Sequence, residues 1–271
     1  MFSVMPSLIR TLILSGLLCS AQAFAQKYDS QHVMVVEEGS GKVLVEKNAD
    51  QTVPIASLTK LMTAMVVLDS HPDMGEKITI EKEDVDMLKH SASRVPVGST
   101  LPRRDVLQLA LMSSDNRAAA ALARSYPGGP PAFIKAVKAK IAALGMTHTH
   151  IEEPTGLNPN NVSTAADLIK LANAASHYSA ITDVTTDADD EVRLKGRNVT
   201  FHNTNRLVDK KGWDILLSKT GFTNEAGNCL IMKFRLAKKK FLLVLLNAHA
   251  RSARVRDAFN IRRLLQTRED N

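Results

Sequence analysis

Pro54-Ile55-Ala56-Ser57-Leu58-Thr59-Lys60-Leu61-Met62-Thr63-Ala64-Met65-Val66-Val67-Leu68-Asp69 is the stretch around which the rest of the chain reads. From Leu58 to Leu68 only Thr59, Lys60 and Thr63 interrupt an apolar run, the pattern of a helix enclosed on nearly every side. Pro54 favours an extended approach with a helix start soon after it. Residues three apart share a helix face, so Ser57 and Lys60 meet in the first turn. An ammonium held among leucines and methionines loses hydration, which disfavours its charged form and leaves an amine able to take a proton from a hydroxyl. The partial positive charge of the helix N-terminus favours an alkoxide or oxyanion at Ser57. The same residues also describe a capping serine followed by a lysine whose head reaches water. The choice between them depends on what else the chain carries.

A chain of 271 residues that is 44% hydrophobic and 23% charged, with 13 Gly and 10 Pro in no low-complexity tract, is one large globular domain or two intimate lobes. Residues 1–25 read as a secretory signal: Arg10 closes the basic segment, Thr11 to Leu18 is a short apolar core, and Ala23-Phe24-Ala25 offers small residues for cleavage. The run is too short to span a bilayer, so the expected layout is a leader over 1–25 and one catalytic domain over 26–271, exported to the periplasm. The formal charge of +7 falls by one when Arg10 leaves. That modest excess suits an anionic polymer, and without a clustered basic and aromatic groove it does not indicate nucleic acid. Cys19 belongs to the leader, which leaves Cys229 with no disulfide partner and best read as a small buried hydrophobe.

Along the mature chain, His32 to Val36 and Lys42 to Glu46 flank Glu37-Glu38-Gly39-Ser40-Gly41, a strand-turn-strand pattern, and Lys77 to Ile80 is a short strand. Arg104 to Met112 and Arg117 to Arg124 read as helices separated by the polar turn Ser113-Ser114-Asp115-Asn116. After Pro127-Gly128-Gly129-Pro130-Pro131 a helix runs from Ala132 to Leu144, and another from about Thr164 to His177 with Ser163 as its cap and Asp167 at the matching acidic position. Thr182 to Val192 is acidic and reads as a surface connection. Ile215 to Thr220, Gly227 to Arg235 and Phe241 to Asn247 are strand-like, the last two joined by Lys238-Lys239-Lys240. A final helix, Arg254 to Gln266, places Val255, Ala258, Phe259, Ile261 and Leu265 inside and its arginines outside. The fold expected is α+β: one antiparallel sheet from the strands of both ends, covered by the terminal helix, with a helical lobe inserted and a cleft between lobe and sheet edge.

Two further elements carry chemistry. Ser114-Asp115-Asn116 sets a hydroxyl, able to pass a proton, two residues from a carboxamide able to hold a carbonyl and the lysine together. Lys219-Thr220-Gly221 closes a strand with a cation and a hydroxyl suited to a carboxylate, and Gly221 allows a substrate backbone to approach.

In this order and spacing, Ser57-x-x-Lys60, Ser114-x-Asn116 and Lys219-Thr220-Gly221 resemble the three signature elements of the penicillin-recognising serine enzymes. Ile55 to Asp69, Leu109 to Ala123, Glu153-Pro154-Thr155-Gly156-Leu157, Ser163 to Asp167 and Lys219 to Cys229 are similar to the low-molecular-mass D-alanyl-D-alanine carboxypeptidases and endopeptidases. The resemblance implies an acyl transfer in which Ser57 attacks a D-alanyl carbonyl, Lys60 is its base, Ser114 relays a proton to the leaving amine and Asn116 orients the substrate. Lys219 and Thr220 would hold the substrate's anionic end, and the backbone N–H groups of Ser57 and Phe222 would form the oxyanion hole. Peptidoglycan stems are then the substrate and β-lactams covalent inhibitors. No metal or cofactor is required, and His148 and His150 read as a pair without ligand role.

Class A β-lactamases share the three motifs, but the segment Glu153 to Asn158 carries one residue too many for their deacylating glutamate, so Glu153 is expected to be structural. A wall-binding protein that had lost catalysis would have lost a reactive position, and all are present. The chain stops where family carboxypeptidases usually continue into a β-rich second domain and an amphipathic anchor. The expectation is therefore the soluble endopeptidase branch, which cuts the D-alanyl to diaminopimelyl cross-link, with a carboxypeptidase acting on pentapeptide stems as the alternative. The segment His202-Asn203-Thr204-Asn205 is left open between a cleft wall and a plain polar turn.

Overall fold

The computed structural model describes residues 28–269, so the expected leader and Cys19 lie outside the described residues. Strands β1 (His32–Glu37) and β2 (Val43–Lys47) form the hairpin, with Val35 opposite Val45. The short β3 (Val53–Pro54) leads through a single 3-10 turn, Ala56–Leu58, into α1 (Thr59–Asp69). Next come β4 (Lys77–Thr79) and its partner β5 (Thr100–Pro102), then α2 (Arg103–Leu111), α3 (Asn116–Arg124) and α4 (Gly129–Ala143). β6 (Val162–Ser163) returns to pair with β3 ahead of α5 (Ala165–Ala175) and α6 (Ser179–Thr186). The hairpin β7 (Asp189–Leu194) and β8 (Arg197–His202) precedes β9 (Asp214–Thr223), β10 (Gly227–Leu236), β11 (Lys239–Ala248) and α7 (Arg251–Glu269).

The main sheet has the order β2-β1-β11-β10-β9 and is antiparallel throughout, so the N-terminal hairpin docks on the last strand of the chain. Its central strand shows why the sheet is stable. Phe241, Leu243 and Leu245 belong to the core under α7 with Ala258, Ile261 and Leu265, while Leu242, Val244 and Leu246 belong to the core of the helical lobe. A strand covered on both faces has no polar alternation, and β11 accordingly reads as an unbroken apolar run from Phe241 to Leu246. α1 lies inside the lobe, buried from Thr59 to Val67, as its composition predicts.

Five details depart from the sequence reading. The cap of α5 is Thr164, whose Oγ1 accepts from the Asp167 N–H at 3.1 Å, while Ser163 is a β6 residue paired with Val53. α4 starts at Gly129 because prolines at 130 and 131 fall in its first turn, where the missing N–H has no helical partner to lose. Thr182 to Val192 is not a surface connection: it holds the end of α6 and most of β7. The last hairpin turns at Ala237 and Lys238, with Ala237 at φ +52°, so Lys239 and Lys240 are already in β11. α7 is longer at both ends than Arg254 to Gln266, and Arg254 is buried.

α7 is fastened to the start of the described chain by Asp257, a buried carboxylate that accepts from the Ser30 N–H and Oγ–H, both at 2.7 Å, and from the Asp29 N–H at 3.1 Å. Removing the acceptor strands buried donors. Asp257→Ala is expected to lower unfolding stability by about 3 kcal/mol, measured as a shift of the urea midpoint at unchanged m-value.

Candidate active site

The site begins with a tight approach of three chain segments. Ala56 has φ +47°, which bends the 3-10 turn so that Ser57 stands half-exposed ahead of α1. Gly156, at φ +86°, lies beneath it: a Cβ there would be 1.9 Å from the Ala56 carbonyl oxygen and 2.8 Å from the Ser57 nitrogen. Gly221 of β9 closes from the other side, where a Cβ would be 3.0 Å from the Ile55 oxygen and 3.2 Å from the Ser57 nitrogen. The first approach excludes any Cβ, and the second would leave one tighter than ordinary van der Waals contact. β9 is the edge strand of the sheet, so its outer side faces this turn with no strand between.

Lys60 is 1% exposed, and its Nζ lies 2.8 Å from Ser57 Oγ, 2.7 Å from Asn116 Oδ1 and 2.7 Å from the Thr155 carbonyl oxygen. Burial pushes its ammonium down from 10.5 to about 8, with the charges of Glu153, Asp115 and Asp86 acting in the opposite direction. The two carbonyl oxygens can only accept. In the neutral amine both N–H bonds therefore point at Asn116 and Thr155, and the lone pair is left facing the Ser57 hydroxyl. The arrangement is that of a base held ready for one alcohol.

Ser114 follows α2 in the left-handed region, φ +59°, an uncommon conformation for serine. Asp115 caps α3, accepting from Ala118 N–H at 3.0 Å and Ser93 Oγ–H at 2.7 Å, and so fixes Asn116 as the first helical residue. The Asn116 amide donates onward to Ser91 Oγ at 2.8 Å. Lys219, 2% exposed, donates to Ser114 Oγ at 2.8 Å and to the Thr220 carbonyl at 3.0 Å. Burial, then the positive charges of Lys60 and Arg254, hold its ammonium well below the usual lysine range. A carboxylate entering the cleft would supply the missing counter-charge.

Ser57, Ser114, Asn116, Thr220, Gly221 and Phe222 thus share one cleft of about 430 Å³, with Phe222 60% exposed at its mouth. Lys60 and Lys219 do not line it but are buried behind it, hydrogen-bonded to Ser57 and Ser114. The open segment is resolved too: His202, Asn203 and Thr204 line this cleft, and Thr220 Oγ1 donates to Thr204 Oγ1 at 2.7 Å.

Arg251 and Arg254 also line it, and of these the sequence reading placed Arg254 outside. Arg254 has a legible signal, since 254, 258, 261 and 265 form one apolar stripe that it begins. Its Nη1 donates to the Cys229 carbonyl at 2.8 Å, and burial lowers its guanidinium to about 10. Glu153 uses its carboxylate within its own loop, accepting from Thr155 N–H at 2.7 Å, Gly156 N–H at 2.5 Å and Asn161 Nδ2 at 2.9 Å. It shapes the turn that carries Gly156, as a structural residue does. His150 Nε2 faces Glu152 Oε1 at 3.1 Å, away from the motif residues, and burial pushes the Cys229 thiol up to about 11, unsuited to a nucleophile.

Gly156→Ala is the sharpest test of this packing. It is expected to displace the Ser57 turn and to slow acylation of Ser57 by a β-lactam about 100-fold, the cost of misplacing a reacting atom by an ångström. Covalent adduct formation followed by intact mass measures it.

Comparison with known proteins agrees with the geometry. Residues 20–250 match the peptidase S11 family, D-alanyl-D-alanine carboxypeptidase. The D-alanyl-D-alanine endopeptidase of Pseudomonas aeruginosa is 48% identical over 89% of this chain and 79% of its own length. The D-alanyl-D-alanine endopeptidase of Escherichia coli is 44% identical over 88% and 77%. Among solved structures, the Streptomyces K15 DD-transpeptidase superposes with a TM-score of 0.81 at 28% identity, covering 87% of this chain and 96% of that one. With the family pattern running through nearly the whole described chain and the fold shared as well, the chain belongs to the peptidase S11 family, whose type is the D-alanyl-D-alanine carboxypeptidase.

Proposed function

We propose that this chain is a serine D,D-peptidase that hydrolyses D-alanyl bonds of peptidoglycan, cutting the D-alanyl to diaminopimelyl cross-link through an acyl-enzyme on Ser57. The observation that carries the reading is the buried Lys60 amine with its lone pair directed at the Ser57 hydroxyl. The proton of Ser57 passes to Lys60 as Oγ bonds to the scissile carbonyl carbon. The oxyanion that forms is held by the backbone N–H groups of Ser57 and Phe222; the close packing of Gly221 against the Ser57 turn supports this reading. As the C–N bond breaks, the proton that Lys60 took from Ser57 returns through Ser114 to the leaving amine, leaving Lys60 neutral again, and Lys219, in contact with Ser114 Oγ, supports that transfer. Asn116 positions the acyl side of the substrate. Lys219 and Thr220, with Arg251 and Arg254 beyond them, draw the carboxylate of the leaving group. Water then attacks the ester, and Lys60 takes its proton and passes it to Ser57 Oγ as the ester bond breaks.

The names of the two relatives, both endopeptidases and both more than 40% identical, favour the cross-link as substrate. The second reading is trimming of pentapeptide stems, which the description of the family favours. Digestion of purified muropeptides by wild type and Ser57→Ala separates them. Wild type is expected to split cross-linked dimers and the variant to leave them whole. Release of terminal D-Ala from monomers with dimers untouched would make the chain a carboxypeptidase. Because Glu153 is committed to its own loop, a chromogenic β-lactam is expected to leave a long-lived adduct on Ser57, without rapid turnover.

Residues 1–25 are proposed as an export leader that delivers residues 26–271, one catalytic domain, to the periplasm. The composition of the leader supports this, and no helix among the described residues is long and apolar enough to cross a membrane. Mass of the protein recovered from the periplasm, expected to lack the leader, checks it.

The protonation of Lys60 sets a pH dependence with a definite sign. Below about pH 8 the amine is mostly charged and cannot accept the Ser57 proton, so the acylation rate rises about tenfold per pH unit and levels off above 8. Lys60→Arg keeps a cation that stays charged at every accessible pH, and is expected to lower acylation by about a thousandfold with no recovery at pH 10. Second-order rates of β-lactam acylation from pH 6 to 10 measure both.

A further inference from the structure

The Ser57 cleft holds more positive charge than one carboxylate uses. Arg206, Arg251 and Arg254 line it, and no aspartate or glutamate does. Arg254 is buried, with Nη1 donating to the Cys229 carbonyl at 2.8 Å and Nε without a partner. Cys229 is the register partner of Gly221, so this guanidinium is anchored one strand away from Lys219-Thr220-Gly221. Arg206 and Arg251 differ from it. Both are exposed, and neither side chain has an ion-pair or hydrogen-bond partner among the described residues. The charges are close enough to interact, since Arg251 adds to the effect of burial in lowering the Arg254 guanidinium.

The loop that presents Arg206 is held on both sides. Asn203 donates from its backbone to the Ala188 carbonyl at 2.7 Å, and from its side chain to the Thr185 and Asp187 carbonyls at 3.1 and 2.9 Å. The Thr204 N–H reaches the Met112 carbonyl at 3.1 Å, and the buried Asn205 accepts from the Leu207 N–H at 3.1 Å. Thr204 also accepts from Thr220 Oγ1, which joins this loop to the strand that holds the first carboxylate. Arg206 therefore extends from a fixed backbone two residues past that contact, and binding an anion there costs the ordering of its own side chain alone.

A leaving D-alanine brings one carboxylate, which Lys219, Thr220 and Arg254 can hold between them. The leaving group of a cross-link is a second peptide stem, which brings the carboxylate beside its amine and another toward its chain end. We propose that Arg206, together with Arg251, binds this second carboxylate and so favours cross-linked over single stems. The inference rests on the D,D-peptidase reading above and deepens it by naming the residue that selects the leaving group. An exposed ion pair contributes little by itself. Here the absence of a competing carboxylate in the cleft and the stiffness of the loop place it at the upper end of that range.

Tripeptides of the form Nα,Nε-diacetyl-L-lysyl-D-alanyl-D-X test this with the acyl side held constant. In one, X is D-2-aminopimelate, whose side chain ends in a carboxylate; in the other that side-chain carboxylate is amidated, and both keep the carboxylate beside the scissile bond. With wild type at low salt, kcat/KM for the acid is expected to exceed that for the amide about fivefold, and the ratio to fall toward unity as salt is raised. In Arg206→Gln the ratio is expected to fall below about twofold, and in Arg206→Glu to invert, as a field effect requires and a packing effect does not. Equal values for acid and amide on wild type, or a fivefold ratio that persists in Arg206→Gln, would overturn the proposal while leaving the Ser57 reaction intact. No hydrolysis of either tripeptide by wild type would overturn both readings at once.

Discussion

The burial of one amine organises this molecule. Lys60 occupies a helix whose other positions are apolar, and its head is enclosed by Ser57, Asn116 and the Thr155 carbonyl. A lysine is rarely enclosed so fully, because the loss of hydration penalises its charge. Here the three contacts come from three distant parts of the chain, the α1 turn, the start of α3 and the loop before β6. The fold must therefore be complete before the proposed base exists.

Close packing supplies the second constraint. Gly156 and Gly221 press against the Ser57 turn from opposite sides, and β3 pairs with β6 to hold the loop that carries Gly156. Glu153 and Asn161 fasten that loop, with the Asn161 carbonyl accepting from the Ile55 N–H at 3.0 Å. Ser57, the proposed nucleophile, is thus set by close backbone contacts on two sides, and Lys60 reaches it through a hydrogen bond. Both faces of the sheet are covered, which makes β9 a stiff edge against which substrate and nucleophile can be aligned.

Much of this was legible in the chain because the chemistry is local in sequence. Ser57 and Lys60 are one helical turn apart, Ser114 and Asn116 flank a helix cap, and Lys219 to Gly221 lie on one strand. The α+β layout followed from apolar strands at both ends with helices between. What escaped depends on contacts between distant residues. Nothing near Gly156 announces that it faces Ala56, a hundred positions earlier, and nothing near Thr204 announces Thr220. The β7 and β8 hairpin was hidden by its charged outer face, Asp189, Glu191 and Arg193, although Val192, Leu194 and Phe201 are buried and Lys195-Gly196 turns at positive φ. Arg254 was misplaced because an arginine on an apolar stripe was assigned by its type and not by its position.

The central claim is that the Lys60 amine is available as a base near neutrality, and direct titration of its side chain tests it most plainly. With 13C-labelled lysine, assigned by comparison with Lys60→Arg, the Cε resonance of Lys60 is expected to titrate with a midpoint near 8. A midpoint at the ordinary lysine value of about 10.4 would show that the amine stays charged where the enzyme works, and would contradict the account.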